Sequence, residues 1–129
     1  VSNNAPEVIV PFIVLSLTGG LEERHIRQIQ SFVGEVRIVE VWIRLETLVN
    51  KEDDPVTQIA DLINSARFLV SGTREGFAFV PPEDPHHAAI STAVLYGIFG
   101  FMPPMIRIVG GNVVQVASLE RARLIGQNG

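Results

Sequence analysis

Two of the three histidines in this chain stand side by side in Val80-Pro81-Pro82-Glu83-Asp84-Pro85-His86-His87-Ala88-Ala89-Ile90-Ser91. Histidine titrates near neutrality, so His86 and His87 could move a proton, bind a metal, or contact a phosphate or a base. Asp84-Pro85 just before them is a helix start: the Asp caps, and the Pro occupies the first helical position. Adjacent helical residues point about 100° apart, which places the pair poorly for one metal ion. No second His/Asp cluster at ligand spacing exists, His25 falls in a different helix, and there is no cysteine. No metal site and no cofactor are therefore expected. Contact with a phosphate or base by His86 or His87 is the chemistry that remains, against the plain alternative of a solvated polar first turn.

A second candidate is Ser16-Leu17-Thr18-Gly19-Gly20. Glycines between a strand and a helix let a phosphate approach the backbone, and a helix start offers N–H groups to it. Ser16 and Thr18 could add hydroxyl bonds. The stretch is neither a dinucleotide fingerprint nor a Walker loop, and a tight turn needing glycine accounts for it equally well. Arg44, followed by Glu46, could grip phosphate as a planar fork. Pro82 ends a strand beside the histidines. There is no Ser-His-Asp order, no nucleophile elbow and no carboxylate cluster, so no catalytic residue can be named.

These residues need elements to hold them. Val8–Leu17 is β-branched and continuous, suiting a strand buried on both faces, with pairing from about Phe12 because Pro11 lacks an N–H. Leu21–Val33 carries a helical stripe of Ile26, Ile29 and Val33, stopped by Gly34. Val36–Ile43 is a second strand, and Leu45–Asp53 a charged connection. Asp54-Pro55 opens a second helix with Val56, Ile59, Ile63 and Ala66 inward; Phe68–Val70 fits either a helical extension or an extended piece. Gly76–Pro81 is a third strand. The helix from about His86 to Gly100 is apolar nearly all round, so the domain or a second subunit must cover it. Met105–Val109 and Val113–Ala117 flank Gly110-Gly111-Asn112, a hairpin signal. Ser118–Ile125 is a short last helix with a frayed tail, and residues 1–7 fray as well. The order predicts one α/β domain over residues 1–129, a three-layer sandwich with a mainly parallel sheet and a C-terminal β-hairpin. Ligands in such sheets bind beyond the carboxyl ends of the strands. That rim comprises Ser16–Gly20, Ile43–Glu46 and Pro81–His87.

Composition narrows the function classes. The chain has 129 residues, 47% of them hydrophobic, and a net charge of −4. The charge argues against a DNA binder, which would carry a basic face. Apolar runs fall short of the roughly 20 residues that span a bilayer. Val8–Leu17 lacks the basic flank of a signal peptide. The expectation is a soluble cytoplasmic protein that engages neither DNA nor membrane.

Pro81, Pro82, Ala88, Ala89, Leu95, Gly97, Gly100, Pro103, Pro104 and Arg107, followed by Val116 and Leu119, form a strand, a Pro-rich turn, an Ala-rich helix and a Pro-Pro strand start. This pattern resembles a small CRISPR-associated family, the fifteenth of the Csx families, found beside type III CRISPR systems. The resemblance is specific from about Pro81 to Arg107. It implies a Rossmann-like, CARF-like fold and a homodimer, and leaves open whether dimers assemble further on the ligand. It implies binding of a cyclic oligoadenylate, foremost the four-membered ring, and removal of that messenger as a sponge. The alternatives are a metal-independent ring nuclease and an adaptor dimer without a nucleotide. On this reading Ser16, Thr18, Gly19 and Gly20 cradle phosphates, while Arg44, Pro82, His86 and His87 contact phosphate or adenine. A two-fold ring suits a two-fold dimer, and the apolar third helix offers it a surface.

Overall fold

The computed structural model describes residues 11–19, 21–44, 54–70, 76–109 and 113–128. In chain order these contain β1 (Phe12–Ser16), α1 (Glu23–Val33), β2 (Val36–Glu40), α2 (Pro55–Ser65), β3 (Phe77–Val80), α3 (Pro85–Phe99), β4 (Met105–Val109), β5 (Val113–Ala117) and α4 (Leu119–Asn128). The five strands make one sheet in the order β2-β1-β3-β4-β5. β2, β1, β3 and β4 run parallel, and β5 closes the edge antiparallel to β4. This is the expected α/β architecture with its mainly parallel sheet and C-terminal hairpin.

The strand sequences dictate the layers. Successive side chains along a strand point to opposite faces. On one face Ile13, Leu15, Phe77 and Phe79 pack with Ile59 and Ile63 of α2 and Leu95 of α3. On the other, Val14, Ala78, Val80, Ile106 and Val114 pack with Ile29 of α1. The inner strands are apolar at consecutive positions because both faces are covered. Gln28 on α1 fixes the second layer from a distance: its Oε1 accepts the Val114 N–H at 3.0 Å.

Both Asp-Pro starts form as expected. Asp54 Oδ1 accepts the Val56 N–H at 3.0 Å, and Asp84 Oδ1 accepts those of His86 at 2.8 Å and His87 at 3.2 Å. Gly100 ends α3 at φ 76°, a conformation that glycine adopts without steric cost. Phe68–Val70 belongs to a hydrogen-bonded turn after α2, with Val70 buried and Phe68 exposed.

Three boundaries differ from expectation. β2 stops at Glu40, although Val41 and Ile43 still donate to the Ser16 and Leu17 carbonyls. α1 starts at Glu23 and not at Leu21, because Glu22 takes the capping position. α4 runs to Asn128, so the expected frayed tail is largely helical. Arg123 there bonds Glu120 and Gln127 one turn to either side, which carries the helix onward. The Leu45–Asp53 connection, Gly20, the Gly110-Gly111-Asn112 turn, Val8–Val10 and the N-terminal tail lie outside the described residues.

α3 is less enclosed than its composition suggests. His87, Ser91 and Leu95 form its buried stripe, while Ala89, Ala93, Tyr96 and Gly97 are exposed. Among the described residues no helix is long and apolar enough to cross a membrane.

Candidate functional site

The chain reverses its direction across the sheet between β1 and β3. From β1 it passes through α1 to β2 on one side; α2 then carries it back over the other face to β3. Loops at such a reversal diverge and leave a crevice at the carboxyl ends of the two strands. A cleft of about 450 Å³ lies there, on the α1 side. Thr18 after β1, Val80, Pro81, Pro82 and Glu83 after β3, and Glu22, Arg24 and His25 at the start of α1 line it, with Arg107 and Ile108 of β4.

Each wall residue is held for a local reason. Thr18 is 7% exposed, and no hydrogen bond among the described residues uses its hydroxyl. Its carbonyl accepts the Ser16 hydroxyl at 2.8 Å, which closes the turn. His25 is buried, and its Nδ1 accepts the Glu22 N–H at 3.0 Å. In the neutral ring that bond places the proton on Nε2. Arg24 Nε lies 3.0 Å from Glu22 Oε2. Arg107 is exposed and forms no ion pair among the described residues. The register Phe79↔Met105 sets Arg107 beside the Pro81 end of β3. The cleft thus offers the Arg107 guanidinium and the Thr18 hydroxyl for an anion and the Glu83 carboxylate for a donor, while the amino end of α1 is already faced by the Glu22 carboxylate.

The residues expected from sequence distribute unevenly around this cleft. Thr18 and Pro82 line it. Ser16 is fully buried and spends its hydroxyl on the turn. Gly19 is exposed, and its lack of a side chain admits the Trp42 indole: a Cβ there would come within 2.4 Å of the ring. Arg44 lies over that same indole, its Cζ 3.7 Å from the ring centroid, a cation–π contact.

His86 and His87 do not line the cleft, because α3 packs on the opposite face of the sheet. The first N–H groups of α3 are already taken by Asp84, whose negative charge also stands where a phosphate would sit. Those bonds, from His87 first and then His86, hold the Asp84 carboxyl below its usual range. The His86 ring is exposed. His87 turns inward, and its Nδ1 and the Ser91 hydroxyl one turn later are buried without a hydrogen-bond partner among the described residues. The two imidazoles are 6.4 Å apart at their centroids and inclined by 51°. Among the described residues no group of three or more His, Asp or Glu could hold a metal ion.

Arg107, Arg24, His25 and Trp42 escaped the sequence reading as site residues. For Arg107 a signal existed: a lone cation between Ile106 and Ile108, two positions into a strand that starts at the rim. His25 and Arg24 carry no such mark, because only the course of α1 brings them to β3. No family model, curated protein or solved structure matches the chain.

Proposed function

We propose that this chain binds a nucleotide second messenger at the β1/β3 crevice, specifically a cyclic oligoadenylate and foremost the four-membered ring. In this reading it is a Rossmann-like, CARF-like protein of type III CRISPR loci that acts in the cytoplasm as a homodimer. By holding the ring it lowers the concentration of the free messenger and damps antiviral signalling. The observation that carries the reading is the cleft at the sheet reversal, where Thr18, Pro82 and Arg107 converge. Its volume of about 450 Å³ falls in the range of small-molecule sites. A guanidinium and a hydroxyl suit phosphate oxygens, and a carboxylate suits an exocyclic amine or a ribose hydroxyl. One cleft per chain takes half of a two-fold ring, so a two-fold dimer would engage the whole. The exposed Ala89, Ala93 and Tyr96 on α3 offer that dimer an apolar contact.

Calorimetry of the wild-type chain with cyclic tetra-adenylate tests this directly. Arg107→Ala and Thr18→Val are expected to weaken binding by about 10- to 150-fold and by several-fold, respectively, since hydrogen bonds to charged groups contribute about 1.5–3 kcal/mol. Both variants should melt like wild type. Absence of binding to any cyclic oligoadenylate would overturn the reading in favour of an adaptor. Multiple-turnover appearance of linear product would replace sequestration with ring cleavage.

A further inference from the structure

We infer that Trp42 and Arg44 form a stacking platform for a purine base next to the cleft, so that the rim of β2 reads the base while Thr18 and Arg107 hold the phosphate. The inference rests on the nucleotide reading of the cleft. Trp42 is the chain's one tryptophan. It is 44% exposed, although Ile43 beside it is buried in the core.

Two contacts hold the ring in one place. The backbone at Gly19 lies so close that a Cβ would meet three ring atoms at 2.4 to 2.6 Å. The Arg44 guanidinium lies flat enough over the ring to bring Cζ within 3.7 Å of its centroid. A ring fixed in this way loses little further freedom when a planar ligand arrives. Gly19 meets one face of the indole and Arg44 covers the other, so the base stacks on the outer face of the Arg44 guanidinium that the indole backs, a plane of the kind on which unpaired bases stack.

Position completes the argument. Gly19 directly follows Thr18, and consecutive Cα atoms are about 3.8 Å apart. The indole therefore borders the turn that carries the cleft hydroxyl. A phosphate at Thr18 leaves the attached base within reach of the Trp42–Arg44 stack. The arrangement needs no base-edge hydrogen bond, and a purine, with its larger face, gains more from it than a pyrimidine.

The test uses the full chain and tryptophan emission. Cyclic tetra-adenylate should quench Trp42 with the affinity that calorimetry gives, while ribose 5-phosphate, which has no base, should leave the emission unchanged. Trp42→Ala should lose about 5- to 150-fold in affinity, the span measured when a stacking aromatic is removed. Trp42→Phe should keep most of the affinity and Trp42→Leu, of similar bulk, should not. This contrast separates stacking from mere filling of the rim. Binding of the ring with unchanged emission and with equal affinity in Trp42→Leu would overturn the platform and leave the cleft reading standing. Failure of the wild-type chain to bind the ring by calorimetry would overturn both.

Discussion

Replacing Ser91 by alanine should stabilise the protein. Ser91 is 0% exposed, in the middle of α3, and its hydroxyl meets no donor or acceptor among the described residues. A hydroxyl in that state loses its water on folding and gains nothing in return, a cost of about 1–3 kcal/mol in protein mutational data. Alanine also favours the helix by a few tenths of a kcal/mol, roughly 0.5. Against this stands the void left by one oxygen. At about 24 cal/mol per Å³ a gap of roughly 15 Å³ costs about 0.4 kcal/mol. The sum is a gain of about 1–3 kcal/mol, or about 3–15 °C in Tm for a domain of this size. Urea denaturation should show a higher midpoint at unchanged slope. A loss of stability in Ser91→Ala would refute the reasoning, because it would mean that the hydroxyl is bonded, directly or through a water shared with His87.

Gly19→Ala should cost about 1–3 kcal/mol by pushing a methyl into the Trp42 ring, and should shift tryptophan emission; in a Trp42→Ala background the same change should be nearly neutral. Asp84→Ala should lower the midpoint of chemical denaturation by removing the α3 cap. The Asp84 carboxyl is held low by the His87 and His86 N–H groups, so its contribution is present above the unfolded value of about 3.9. It disappears as pH falls through the lower folded value, and the gap between wild type and Asp84→Asn should narrow on acidification below about pH 4. Gln28→Leu removes the bond to the Val114 N–H; a loss of about 1–3 kcal/mol is expected, together with faster hydrogen exchange at Val114.

Much of this architecture was legible because its causes are local. Asp54-Pro55 and Asp84-Pro85 bond N–H groups two and three residues on, so their effect is written within one short window. The apolar runs of β1 and β3 announce strands covered on both faces, and the strand-helix alternation announces a parallel sheet whose carboxyl edge carries Thr18 and Pro82. The sequence also marked His87 and Gly19 as unusual. It could not say why.

Those answers belong to the tertiary structure, because they depend on which face each element presents. α3 packs on the face away from the cleft, which takes His86 and His87 out of it and buries His87. Gly19 is small to admit Trp42, a residue 23 positions later and just past the end of β2. Arg107 reaches the cleft only because β4 pairs in parallel with β3, and His25 only because α1 crosses the other face. Sequence alone determined the elements, their caps and the edge of the sheet at which the cleft opens. The sides of the sheet taken by α1 and α3, and hence which side chains meet at that edge, were settled by burying two apolar faces at once, a condition that no local window contains.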